Sequence, residues 1–148
     1  MTGSSRFPLQ SLLDLSQMRL DDAARRLGEL VAGEQEATKR LELLMGYRCE
    51  YQARFVAAAK EGLGREAWGN FQSFLAKLDL AVTQAEQQVA ASKQRTAAGQ
   101  KEWLDRRGKV QAFDTLAKRH DARRQQAENR REQKIQDEHA ERRKPGEE

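Results

Sequence analysis

Apolar side chains recur along the chain in alternating steps of three and four residues, beginning at Leu9. This seven-residue rhythm is typical of a coiled-coil seam, in which two positions of every heptad face a partner helix. Most positions of the first run are apolar, the exceptions being Ser16, Glu34 and Arg48. The pattern therefore predicts a long helix that starts near residue 8. Its seam positions are Leu9, Leu13, Ser16, Leu20, Ala23, Leu27, Leu30, Glu34, Ala37, Leu41, Leu44, Arg48, Tyr51, Phe55 and Ala58.

The rhythm stops at Glu61-Gly62-Leu63-Gly64 and then resumes. Two glycines allow the backbone to take left-handed turn conformations without steric cost, so this stretch predicts a reversal between two helices. The second run is again mostly apolar or small. Its positions are Trp68, Phe71, Leu75, Leu78, Val82, Ala85, Val89, Ser92, Thr96, Gly99, Trp103, Arg106, Val110, Phe113, Ala117 and His120.

The two runs match when the second is folded back about residue 63, which places residue i near residue 126 − i. Seam positions then meet seam positions, and large residues meet small ones: Leu27 faces Gly99, and Trp103 faces Ala23. Such size complementarity fills space at native density. The alternative is a parallel dimer of long helices, which would stack Trp103 of one chain on Trp103 of the other and would need no turn. The matching favours an all-α fold, a long two-helix antiparallel coiled coil (an α-hairpin) over residues 8–118 with its turn near 60–66.

Both ends of the chain lack a seam. Residues 1–7 are expected to be a flexible tail, with Pro8 in the first helical turn, where its missing N–H is not needed. From Lys118 onwards the only large aliphatic residue is Ile135. Oppositely charged residues four apart, such as Arg124 and Glu128, support an exposed helix only weakly. We expect residues 119–148 to form a charged helical extension that frays into a disordered end.

Composition excludes several classes of protein. Charged residues make up 34% of the chain and hydrophobic residues 38%, which indicates long helices rather than a compact globule. The net charge of +4 would allow polyanion binding, but the positive and negative residues are interleaved rather than grouped in blocks, which argues against it. A single cysteine, Cys49, allows no internal disulfide. The chain contains no apolar run that could span a membrane and no signal-peptide pattern, so we expect a cytoplasmic protein.

Motifs that would carry chemistry are missing. The chain has no phosphate-binding glycine loop, no H-E-x-x-H sequence and no cysteine pair for zinc. His120 and His139 lie far apart and have no second ligand at helical spacing, so solvated helix histidines are favoured over metal ligands. A two-helix hairpin also has no interior from which to exclude water. We expect a non-enzymatic protein with no catalytic residues, no metal and no cofactor.

Two groups of residues suggest binding to other proteins. Three apolar residues, Tyr47, Phe74 and Ala81, lie one step off the seam. The folding rule brings them together with three seam residues on one face near the turn, and exposed aromatic clusters are typical of partner contacts. A seam that merely broadens there is the alternative interpretation. The six residues are Leu44, Tyr47, Tyr51, Phe74, Leu78 and Ala81.

The second group is basic and lies where the second helix meets the N-terminus. This group can be interpreted as a solvated charged face, as a docking tip for an acidic protein surface, or as a nucleic-acid binding site. Acidic residues intervene, unlike in a DNA-reading zipper, so nucleic-acid recognition is disfavoured. The residues are Arg106, Arg107, Lys109, Lys118, Arg119, Arg123 and Arg124.

Several segments together resemble the FliJ family, the small coiled-coil components of the flagellar type III export apparatus. Each segment alone is weakly specific, but their order and spacing over most of the chain make the set specific. The segments are FPLQSLLDL (7–15), DDAARRLGEL (21–30), Leu41-x-x-Leu44-x-x-Tyr47-Arg48-x-Glu50-Tyr51, Trp68-x-x-Phe71-x-x-Phe74-x-x-x-Leu78, KVQAFDTLAKR (109–119) and NRREQKIQDEHA (129–140).

The resemblance implies a fold similar to the central stalk of rotary F-type ATPases. It also implies three partners, namely the hexameric export ATPase around the tip that bears both chain ends, the cytoplasmic domain of the export-gate membrane protein, and export chaperones. The family's gate-binding patch maps onto the six residues that converge on one face near the turn. Two further positions of that patch fall on Arg40 and Ala85, which differ from the polar residues expected there.

The expected function is therefore a non-enzymatic coupling of ATPase to gate. The expected location is the cytoplasm, at the export apparatus on the inner membrane, with no direct membrane insertion and no nucleic acid bound. The alternative is a generic structural coiled-coil scaffold or a weak nucleic-acid binder.

Overall fold

A computed structural model describes residues 6–143, and these form two long helices packed against each other. Helix α1 spans Gln10–Glu61 and helix α2 spans Arg65–Arg143. No β-strand occurs between residues 6 and 143. The predicted all-α, two-helix antiparallel hairpin is therefore confirmed. Residues 1–5 of the expected flexible tail and residues 144–148 of the expected disordered end lie outside the described residues.

Helix α1 begins slightly later than the position of Pro8 suggested. The carbonyl of Leu9 accepts the first helical hydrogen bond, from the amide of Leu13 at 3.0 Å. Before it, the amide of Gln10 donates to the carbonyl of Phe7 at 3.1 Å. Pro8 thus lies in a turn that leads into the helix, and the expectation that it occupies the first helical turn is wrong.

The connection between the helices consists of residues 62–64. Gly62 has a φ of +99°, a conformation that residues with a side chain rarely adopt. Its amide donates to the carbonyl of Ala59 at 3.3 Å, which closes the end of α1. The carbonyl of Gly64 accepts from the amide of Trp68 at 3.0 Å and starts α2. The three-residue connection thus satisfies backbone groups at both helix ends.

Residues 23–103 form one compact unit, which contains the turn and most of the seam. Its buried residues are small or medium in size, because each seam position contacts only one other helix and a large side chain keeps an exposed edge. They are Ala23, Ala37, Leu78, Val82, Ala85 and Ser92.

Contacts across this seam follow the predicted register. The hydroxyl of Thr96 lies 3.4 Å from the carbonyl oxygen of Leu30, and the side chain of Leu27 lies over Gly99. Arg48, one of the polar exceptions, reaches across to the carboxylate of Asp79 at 3.6 Å. The register predicted from size complementarity is therefore confirmed in this unit.

Residues 6–22 and 104–143 belong to the second compact unit. Leu13, Leu20, Val110 and Phe113 are half-buried along its seam. The ring of Phe7 packs against that of His120, with centroids 5.6 Å apart. Beyond this contact α2 continues as a helix, and every side chain from residue 121 to residue 143 is exposed. Between residues 121 and 143, α2 therefore buries no side chain in a seam.

Candidate functional site

An aromatic groove lies beside the seam in the unit formed by residues 23–103. Heptad spacing places Tyr47 and Phe74 just outside the seam, on the flank where the two helices converge. Their side chains remain 50% and 45% exposed, whereas Leu78 beneath them is buried. The groove offers an apolar floor with two half-exposed aromatic walls. Its lining residues are Tyr47, Glu50, Tyr51, Arg54, Phe74 and Leu78.

A chain of ring contacts connects the groove to the turn. The ring of Tyr51 lies 4.4 Å from that of Phe74 and 5.2 Å from that of Phe71. Phe55 in turn contacts Phe71 at 5.5 Å and Trp68 at 5.0 Å. The rings are inclined to one another by 45° to 61°, an arrangement favourable for aromatic pairs. These contacts hold the Phe74 ring in place before any partner arrives.

The six residues predicted as a binding patch differ in exposure and in whether they line the groove. Four of them line the aromatic groove, whereas Leu44 and Ala81 are half-buried and lie outside its lining. Of the two further family positions, Ala85 is buried in the seam and Arg40 is exposed. A buried alanine is not available to a partner, so Ala85 does not extend the surface.

The predicted basic residues have different surroundings within the second unit. Arg119 and Arg123 line a groove beside the start of α1, whereas Arg106, Arg107 and Lys109 do not. The ammonium group of Lys118 pairs with Asp114 at 3.1 Å. This N-terminal groove is lined by Phe7, Pro8, Leu9, Leu116, Arg119, His120 and Arg123.

His120 differs from the solvated helix histidine expected from the sequence. Its side chain is only 26% exposed because the Phe7 ring covers it. Nδ1 of His120 is shielded from solvent and makes no hydrogen bond, and the nearest carboxylate oxygen, on Asp121, is 3.8 Å away. The expectation was wrong because it ignored the N-terminal residues that fold over this position. His139 and Cys49 are both exposed.

Residues 6–143 include no group of three or more histidine, cysteine, aspartate or glutamate side chains placed to hold a metal ion. Over the same residues neither helix contains a stretch long and apolar enough to cross a membrane.

A polar notch lies in the unit formed by residues 23–103; the sequence reasoning named Arg40 as a further position of the family's patch but missed the other residues of the notch. It is defined by two arginines, Arg40 and Arg95, above a floor of small residues. The heptad spacing could have indicated the notch. Arg40 lies one heptad before Tyr47, and Arg95 lies two heptads after Ala81, so both share a face with the predicted patch. The complete lining is Gly33, Glu36, Ala37, Arg40, Gln88, Ser92 and Arg95.

The chain is similar to known proteins over most of its length. A family described as "Flagellar FliJ protein" matches residues 5–145. The chain is 36% identical over 134 residues to the flagellar FliJ protein of Salmonella typhi, an alignment that covers 90% of this chain and 91% of that protein. The same identity and coverage are found with the flagellar FliJ protein of Escherichia coli strain K12.

Proposed function

Because this chain belongs to the flagellar FliJ protein family, we propose that it is a non-enzymatic component of flagellar type III protein export. In this proposal it couples the hexameric export ATPase to the cytoplasmic domain of the membrane export gate, and it also handles export chaperones. Its location is the cytoplasm, at the export apparatus on the inner membrane. The gate docks on the aromatic groove, and the ATPase docks on the N-terminal groove.

The observation that carries the gate assignment is the exposure of Tyr47 and Phe74. Two large aromatic side chains stay about half exposed, although the seam beneath them is already closed by Leu78. Aromatic residues held in place by packed neighbours are the typical anchors of protein interfaces. Their ring area can be desolvated by a partner at little cost in conformational entropy, since the contact with Tyr51 already orients Phe74.

The ATPase assignment is supported by the chemistry of the N-terminal groove. Phe7, Leu9 and Leu116 supply apolar surface, and Arg119 and Arg123 supply positive charge beside it. Such a combination fits an acidic protein surface that carries one apolar side chain. Family resemblance supports the ATPase as that partner.

The test is a binding experiment with the purified gate domain and the purified export ATPase from the same organism. Tyr47→Ala should weaken gate binding by about 1–4 kcal/mol and leave ATPase binding unchanged. A double change of Arg119 and Arg123 to Gln should weaken ATPase binding and leave gate binding unchanged. Leu43→Ala is the matched control, because Leu43 is 55% exposed on the same helix but lies outside the groove lining.

Equal gate affinity of wild type, Tyr47→Ala and Leu43→Ala would refute the gate assignment. Absence of any binding to either partner would favour the alternative, a generic scaffold. Binding of DNA or RNA that weakens steeply with added salt would instead indicate phosphate contacts. A circular dichroism spectrum of each variant verifies that the helices are intact.

A further inference from the structure

The polar notch lies on the same face of its unit as the aromatic groove. On each helix, residues seven apart occupy the same heptad position and share a face. One row on α1 and one row on α2 supply residues to both the groove and the notch. The rows are Gly33, Arg40, Tyr47 and Arg54 on α1, and Phe74, Ala81, Gln88 and Arg95 on α2.

The two guanidinium groups of the notch have only weak, neutral partners. Nη1 of Arg40 donates to Oε1 of Gln88 at 3.4 Å, and Nη2 of Arg95 donates to the hydroxyl of Ser92 at 3.3 Å. Within residues 6–143 neither guanidinium forms an ion pair, and the single carboxylate of the lining, on Glu36, pairs with neither of them. Most donors of both arginines are therefore available to an incoming acceptor.

Small residues make room between the arginines. Ala37 and Ser92 are 8% and 7% exposed and form the floor, and Gly33 contributes no side chain. A planar guanidinium matches a carboxylate through two parallel hydrogen bonds, and such charge-assisted pairs are stronger than bonds to neutral oxygens. A carboxylate that enters the notch would replace the long bonds to Gln88 and Ser92 with shorter ones.

We propose that the polar notch binds a carboxylate side chain from an acidic segment of the protein that docks on the aromatic groove. The identity of that protein rests on the proposed function, whereas the chemistry of the notch does not. Arg40 is one heptad from Tyr47, which corresponds to about 10 Å along a helix. The partner therefore places an aspartate or glutamate about that far from its apolar anchor.

A protein carboxylate fits the notch better than a nucleic acid does. Single-stranded nucleic acids are held by a continuous basic groove together with stacking aromatic rings. The lining of the notch contains two guanidinium groups, one carboxylate and no aromatic ring, so it offers neither a continuous basic groove nor a stacking surface. One carboxylate needs only the two guanidinium groups.

The first test compares notch variants with matched charge controls in binding to the gate domain. Arg40→Gln and Arg95→Gln should each weaken binding roughly three- to tenfold and make it less salt-dependent. Lys39→Gln and Lys93→Gln remove the same charge from neighbouring exposed positions outside the notch, and they should change affinity less than about twofold. Equal effects of the notch variants and the controls would overturn the proposal.

A steric variant tests the same site without changing charge. A Cβ atom at Gly33 would meet no other atom within 4 Å, so Gly33→Gln should fold and should project a long neutral side chain over the notch. It should weaken gate binding as much as Arg95→Gln does. Unchanged affinity of a folded Gly33→Gln protein would count against a ligand in the notch.

A second probe separates the notch from the identity of the partner. Hexaglutamate titrated into the full chain should shift the NMR signals of the Arg40 and Arg95 side-chain Nε–H groups more than that of Arg54. If the gate domain does not bind the wild type but these shifts occur, the proposed partner is wrong and the notch assignment stands. Equal shifts of all three arginines would overturn the notch assignment. The notch assignment would also be overturned if a DNA oligonucleotide shifted the Arg40 and Arg95 signals at a lower concentration than hexaglutamate does.

Discussion

Gly99 is the position at which one added methyl group tests the seam register most directly. An ideal Cβ atom at residue 99 would lie 2.6 Å from Cδ1 of Leu30 and 3.7 Å from Cδ1 of Leu27. Carbon atoms pack at about 3.5–4.0 Å, so the first distance requires the Leu30 side chain to move. The second distance is an ordinary van der Waals contact. Gly99→Ala therefore brings a clash with one identified side chain of the opposite helix.

The magnitude follows from two opposing effects. Replacing glycine by alanine inside a helix stabilises it by roughly 0.5–1 kcal/mol. Inserting a methyl group into a packed seam costs about 1–3 kcal/mol, since side chains leave their preferred rotamers. Gly46→Ala and Gly108→Ala give the first effect alone, because nothing lies within 4 Å of an added Cβ at either position. Because the displaced atom is the end of a flexible leucine side chain, we expect the low end of this cost, so that Gly99→Ala is less stable than these controls by about 1 kcal/mol.

The assay is urea unfolding followed by circular dichroism at 222 nm, in which each variant's free energy of unfolding is compared with that of the wild type. A double-mutant cycle with Leu30→Ala identifies the clashing partner, because the two changes should interact favourably by about 0.5–3 kcal/mol. If Gly99→Ala stabilises the chain as much as Gly46→Ala does, the close approach at Gly99 is wrong. Additive effects of the two changes would mean that Leu30 is not the residue displaced.

Three further predictions concern the groove, the turn and the end of α2. Tyr51→Ala should destabilise the fold by about 1–3 kcal/mol more than Tyr47→Ala in thermal melts, because Tyr51 packs against two neighbouring rings; equal losses would contradict this. Gly62→Ala should cost about 1–2 kcal/mol in urea unfolding because of its positive φ, whereas Gly64→Ala should be nearly neutral, and a neutral Gly62→Ala would refute the strain. Amides of residues 121–143 should exchange with solvent far faster than those of the seam, so slow exchange there in the isolated protein would contradict the absence of a seam in that segment.

The register of the hairpin could be predicted from the sequence because it depends on a one-dimensional pattern. Seam positions recur every three and four residues, and only one fold-back pairs Leu27 with Gly99 and Leu30 with Thr96 while also using the glycines of the turn. Both pairs are found in contact. Burial of apolar residues and steric matching are properties of residue type and spacing, so they can be inferred without coordinates.

Tertiary structure decided what happens beside the seam. A flanking residue such as Tyr47 or Arg95 contacts the opposite helix only according to how far each helix is rotated about its axis, and the heptad pattern leaves that rotation loosely specified. The packing of Phe7 over His120 likewise depends on how the chain approaches the start of α1. Sequence alone thus determined which residues meet in the seam. The folded chain determined which of their neighbours form a groove, because a groove is shaped by the gaps that packing leaves between side chains.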